Sequence, residues 1–210
     1  MDQKNGQPQH QPFLWEAKGS DTAVLLVHGV LGSPNQFDTI AHRLLDAGCT
    51  VMAILLPGHG DSAEDFAKAK TQDWQRAVHE AAVSLREHYL HIFLLGHSMG
   101  GLLAIGEAID GGADGLILLS TPMRLKTGFR AADMTARVLR GSSDQDDERI
   151  KSYRRAFSVE AGSLWQRVRW LFPFLALFRL MSRTRRKLDG VSQPVLIIQS
   201  KRDETVAWRS

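Results

Sequence analysis

The sequence predicts an α/β fold built on a mostly parallel, doubly wound sheet. Three observations carry that expectation. Residues 22–27, 50–56, 91–95 and 115–119 are nearly unbroken apolar runs, the pattern of strands buried on both faces. Helical patterns with a single apolar stripe separate several of these runs. Loops rich in Gly or charge follow the strands: residues 28–32, 57–62, 96–101, 121–122 and 201–203. In such sheets ligands bind beyond the carboxyl ends of the strands, so these loops are expected to converge on one site.

Taken in order, residues 1–11 are polar and lack an apolar core segment, so they read as a loose leader and no signal peptide is expected. Residues 13–17 suit a short first strand, and Gly19-Ser20-Asp21 a turn. Residues 22–27 are rich in Val and Leu and suit a buried strand. After His28-Gly29-Val30-Leu31-Gly32, Ser33 is placed to N-cap a helix over 35–46, with Pro34 in its first turn. Phe37, Ile40, Leu44 and Leu45 share its apolar face, and Gly48 ends it. Residues 50–56 are the next strand and 57–62 a loop. Asp73-Trp74 opens a helix reaching about residue 88, striped by Trp74, Val78, Ala82 and Leu85. Residues 91–95 make a strand that runs through Gly96-His97-Ser98-Met99-Gly100-Gly101 into a helix over 102–109. Residues 115–121 and 195–200 complete the strands.

Residues 123–190 interrupt the alternation. They are basic, helical in pattern and hold no good strand, so they read as a helical cap insert. The organisation expected is a core begun in residues 12–122, a cap insert in 123–190, and the core continued in 191–210. Charge follows this division. Residues 1–121 carry 7 Lys+Arg against 14 Asp+Glu, and the remainder carries 19 against 9. The apolar stretch 165–178 suits a roof over an acyl pocket, with peripheral membrane contact as a second use. Arg183-Thr184-Arg185-Arg186-Lys187 reads as a solvated basic face, with no motif that would recognise nucleic acid.

Composition excludes several classes. Cys49 is the only cysteine, so no intramolecular disulfide forms, which favours a cytoplasmic location. Cys49 has no ligand-spaced partner, H-E-x-x-H is absent, and no G-x-G-x-x-G or phosphate loop occurs. Neither metal nor cofactor is therefore expected. The oligomeric state is not encoded in any pattern.

The chemistry is concentrated at G-x-S-x-G, residues 96–100. A strand, a tight turn and a helix surround it, the context that lifts a serine hydroxyl above the sheet edge as a nucleophile. Ser98 takes that role. The helix start supplies free N–H groups and a positive dipole end. The N–H of Met99 is one expected oxyanion donor, and the N–H of Val30, after the first buried strand, is the other. Each such donor is typically worth about 10²–10³ in rate.

His28-Gly29-Val30-Leu31-Gly32, Leu56-Pro57-Gly58-His59-Gly60 and the segment around Ser98 together resemble the α/β-hydrolase family. The resemblance is nearest to small bacterial carboxylesterases and monoacylglycerol lipases, and extends from about residue 13 to the end through Ser120-Thr121-Pro122-Met123 and residues 194–206. It implies an α/β-hydrolase fold and a small-molecule, lipid-like ester substrate hydrolysed through an acyl-serine. It also implies that Asp203 orients the catalytic base, with Glu204 the alternative carboxylate. A serine at the elbow separates the chain from dehalogenases and epoxide hydrolases, which use a carboxylate there. The family order is Ser, Asp, His, but all eight histidines precede Ser98. The chain is therefore expected to lack the C-terminal strand and helix carrying the base, to hydrolyse esters poorly, and to leave residues 195–199 as an exposed apolar sheet edge. Of the histidines present, His59 is the best placed substitute. His28 is expected to make a structural hydrogen bond, and His97 to point away from the site. A non-catalytic ligand-binding homologue is the alternative reading, as is a serine peptidase or acyltransferase on the same fold.

Overall fold

The computed structural model describes residues 10–60, 62–124, 158–159, 169–203 and 206–210. Six strands form one sheet: β1 (Phe13–Trp15), β2 (Thr22–Val27), β3 (Thr50–Ile54), β4 (His91–His97), β5 (Gly115–Leu119) and β6 (Val195–Ile198). Their order is β1-β3-β2-β4-β5-β6. β1 pairs antiparallel with β3, and every other pairing is parallel. The described helices are α1 (Asp38–Asp46), α2 (Ala63–Lys68), α3 (Thr71–Arg86), α4 (Met99–Ile109) and α5 (Leu171–Arg186).

The two-residue period of the central strands divides the core. From β2, Ala23, Leu25 and Val27 enter the larger cluster, under α2, α3, α4 and α5. Val24 and Leu26 point the other way, to Phe37, Ala41, Val51, Ala53 and Leu95 beneath α1. Trp74, Phe66 and Leu102 are fully buried in the larger cluster, each worth about 1.5–3 kcal/mol against exposure. α4 is buried nearly all round, as its continuous apolar sequence requires.

Cover is uneven. Val195, Leu196, Ile197 and Ile198 of β6 are all exposed, so the apolar sheet edge expected from the sequence is present. The helix expected over 35–46 is divided: Pro34–Phe37 is a 3-10 turn, and α1 begins only at Asp38. Ser33 makes no capping bond, and its Oγ instead meets His10 Nδ1 at 2.8 Å. α2 follows directly on the loop expected at 57–62, over residues to which the sequence assigned no element. Of the expected cap, α5 and its flanks are helical, while 125–157 and 160–168 lie outside the described residues.

The chain places β3 on one side of β2 and then crosses to put β4 on the other. That reversal opens a crevice beyond the carboxyl ends of β2 and β4, the position where open α/β sheets bind ligands.

Candidate active site

Val30 follows β2 and Ser98 follows β4, so the two expected reaction elements flank this crevice. Ser98 holds φ 53° and ψ −120°, a conformation a non-glycine residue keeps only when its surroundings enforce it. Two close approaches enforce it here. A Cβ on Gly100 would collide with the Val27 carbonyl oxygen, so only glycine lets α4 start this close to β2. A Cβ on Gly29 would lie 3.0 Å from the Ser98 Cβ, which puts the loop after β2 directly against the serine. The Ser98 N–H donates to Leu119 O at 2.9 Å, tying the turn to β5.

Positive φ clusters at this edge. Among the described non-glycine residues, Leu31 (φ 60°), Ser98 (φ 53°) and Ser120 (φ 45°) stand just after β2, β4 and β5. The fourth, His10, is remote in sequence but touches the neighbouring Ser33.

Met99 is the first residue of α4, so its N–H has no acceptor within the helix. The Gly32 N–H donates to Gly29 O at 3.0 Å, closing a tight turn with Val30 and Leu31 at its centre. Among the described residues no acceptor takes the Val30 N–H, whereas the Leu31 N–H donates to His59 Nε2 at 3.1 Å.

That last bond belongs to a buried pair the sequence did not reveal. His28 Nε2 accepts from Leu56 N–H at 3.0 Å, and its Nδ1–H donates to Gly29 O at 2.8 Å. His59 Nδ1–H donates to Leu56 O at 3.2 Å. With both Nε2 atoms accepting, both rings are neutral. Burial pushes the His28 imidazole well below its usual range, and the adjacent His59 lowers it further. Burial likewise holds His59 down to about 4, against two carbonyl contacts that oppose the fall. His59, the best placed substitute base by sequence, is thus a clamp on the loop after β2. His28 makes the structural bonds expected of it.

Ser158 adds a second brace. Its Oγ donates to Gly32 O at 2.6 Å and accepts from Gly60 N–H at 3.1 Å, while its own N–H donates to Leu31 O at 2.9 Å. A residue of the insert therefore joins the loops after β2 and β3. Pattern reading had no means of finding it, because its partners lie about a hundred positions away.

Asp203 follows β6, two strands from Ser98 at the same edge. Its Oδ1 accepts from Val206 N–H at 2.8 Å and its Oδ2 from Gln199 Nε2 at 3.2 Å. The alternative carboxylate, Glu204, lies outside the described residues. His97, the last residue of β4, feels the Asp203 charge. Burial lowers its imidazole, and the Asp203 charge acts in the opposite direction. His97 Nδ1 is buried without a hydrogen-bond partner among the described residues, and stands 3.3 Å from the position of a Gly29 Cβ. His42, His79 and His91 belong to α1, α3 and the start of β4, away from this edge. Among the described residues no three His, Cys, Asp or Glu side chains gather as a metal site.

A parallel sheet with one antiparallel edge, a serine at a strained strand–turn–helix and the β2 loop packed against that serine together define an α/β-hydrolase fold. The chain belongs to the hydrolase family described as serine aminopeptidase, S33, whose sequence profile matches residues 18–210. It is 30% identical over 202 residues to a thermostable monoacylglycerol lipase of Bacillus sp. (strain H-257), covering 93% of this chain and 75% of that protein. A carboxylesterase of Bacillus subtilis (strain 168) is 24% identical over 204 residues, covering 95% and 78%. Among solved structures, a soluble variant of the Saccharomyces cerevisiae monoglyceride lipase superposes with a TM-score of 0.66 at 17% identity, covering 93% of this chain and 73% of that one. A metagenome-derived lipolytic enzyme gives 0.68 at 24% identity, covering 95% and 79%.

Proposed function

We propose that the chain is a carboxylic ester hydrolase of the carboxylesterase or monoacylglycerol lipase type. Ser98 attacks the ester carbonyl, the alcohol leaves, and water releases the acyl group from Ser98. The N–H groups of Val30 and Met99 hold the oxyanion, and Asp203 is the carboxylate that orients the base in the family order. Residues 12–122 and 191–210 form the catalytic core and 123–190 the cap over it. The observation that carries this reading is Ser98 at φ 53° between β4 and α4, with Gly29 pressed against its Cβ. The relatives named as monoacylglycerol lipase and carboxylesterase favour small, lipid-like esters as substrates. A single cysteine agrees with a cytoplasmic setting.

No histidine follows Asp203 in these 210 residues. A chain of these 210 residues alone works without the imidazole of the family order, and its turnover is slow. Loss of one triad member leaves about 10³–10⁴-fold acceleration over water in well-studied cases. The same observation favours the second reading, a pocket that binds esters without hydrolysing them.

The test combines p-nitrophenyl esters of increasing acyl length with intact-mass detection of an acyl or fluorophosphonate adduct. The reading expects an adduct on Ser98, with slow release of nitrophenol that disappears in Ser98→Ala. Saturable ester binding with no adduct would establish the non-catalytic reading instead. An adduct retained in Ser98→Ala would refute the assignment of the nucleophile.

A further inference from the structure

The outer stripe of α5 is divided along its length. Leu171, Phe172, Leu175 and Phe178 occupy one face of its first turns and are 58%, 69%, 42% and 51% exposed. Their spacing of i, i+1, i+4 and i+7 makes one continuous apolar patch. Along the same face the helix continues with Arg179, Arg183 and Arg186, and Arg185 and Lys187 flank it. All five are exposed. Among the described residues none of these five cations pairs with a carboxylate.

The opposite face explains why the patch stays outside. Pro173, Leu177, Leu180, Met181 and Thr184 are buried, and α5 packs across α2, α3 and α4 through them. Trp170, just before the helix, fixes its start by donating from Nε1 to Ala63 O at 2.9 Å. The anchored face cannot turn outward, so the apolar patch cannot turn inward. A stable helix thus presents large apolar side chains to water at one end and a run of cations at the other.

We propose that this face of α5 docks the protein on an anionic lipid surface. Charge complementarity selects that occupant. Five exposed cations, none of them paired with a carboxylate among the described residues, repel a second copy of the same face, whereas they match the negative potential of acidic headgroups. Leu171, Phe172, Leu175 and Phe178 then bed in the boundary between headgroups and acyl chains, the mode of helices that lie in the membrane plane. Among the described residues no helix is long and apolar enough to cross a membrane, so the contact is peripheral. The apolar end is also the end nearest the site. Trp170 touches Ala63, which follows the loop after β3 at the same sheet edge as Ser98.

Co-sedimentation of the full chain with vesicles tests the proposal without reference to catalysis. The chain should pellet with phosphatidylcholine–phosphatidylglycerol vesicles and far less with phosphatidylcholine alone. Arg183→Gln and Arg186→Gln should each weaken partitioning about fivefold, the equivalent of about 1 kcal/mol. Phe172→Ser combined with Phe178→Ser should weaken it at least tenfold, with the circular dichroism spectrum unchanged because both side chains face solvent. Equal partitioning to both vesicle types, or variants that bind like the parent, would overturn it. So would a concentration-dependent dimer in sedimentation velocity that the paired Phe substitutions abolish, since a second copy would then cover the face.

Discussion

Acidification from neutral pH to about 4 should weaken the fold by about 3 kcal/mol through His59 alone. The ring is 1% exposed and neutral, with its Nε2 committed to the Leu31 N–H. In the unfolded chain it takes up a proton near 6.5, whereas in the folded chain it resists until about 4. Between those values the unfolded state binds the extra proton, so stability is highest above 6.5 and falls as pH drops towards 4. Below 4 both states are protonated and this contribution levels off. At 1.36 kcal/mol per pH unit, the interval is worth about 3 kcal/mol, a large share of the about 5–15 kcal/mol that holds a typical domain. His59→Gln removes the titration and keeps an amide oxygen to accept from Leu31. Urea unfolding of parent and variant across this range supplies the measurement. The parent should lose at least about 3 kcal/mol more than His59→Gln, because removing His59 also relieves its depression of His28. Parallel pH curves for the two proteins would refute the neutral, locked imidazole.

Two further substitutions test the edge around Ser98. Ser98→Gly should abolish the acyl adduct yet raise stability by about 1 kcal/mol, since glycine adopts φ 53° freely and the relieved strain outweighs its larger unfolded entropy; a lower melting temperature would contradict this. Ser158→Ala should cost about 1–3 kcal/mol by leaving Gly60 N–H and Gly32 O without their brace. Urea unfolding measures this loss, and an unchanged midpoint would show that Ser158 does not brace these two loops.

Local patterns made β2, β4, α4 and the turn at Ser98 legible in the sequence. Each is a continuous apolar segment whose neighbours in space are also its neighbours in type. The expected oxyanion residues fall at the same crevice for the same reason: both follow strands that adjoin in the sheet. α2 was not legible. Its six residues bury only Ala63 and Phe66 fully, and it is held by the Ser62 cap and by Phe66 packing against His59 and Trp170. Ser33 looked like an N-cap by type and position, but its Oγ is taken by His10. The role of His59 was hidden because an imidazole has the same letter whether it accepts from a distant N–H or carries a proton. Asp203 was legible only through resemblance, since a carboxylate in a loop has no period.

The rings of His28, His59, Phe66 and Trp170 follow one another at 4.8, 5.2 and 5.4 Å. They run from the turn beside Ser98 to the first residue before α5. This column gives the protein a built-in optical gauge. Trp170 is 2% exposed, so its indole emits from an apolar setting while α5 stays seated. Any event that lifts α5 brings water to that indole and moves its emission to longer wavelength, and Trp170→Phe removes the signal. Fluorescence thus reads the seating of α5 against the core in real time, with no label attached.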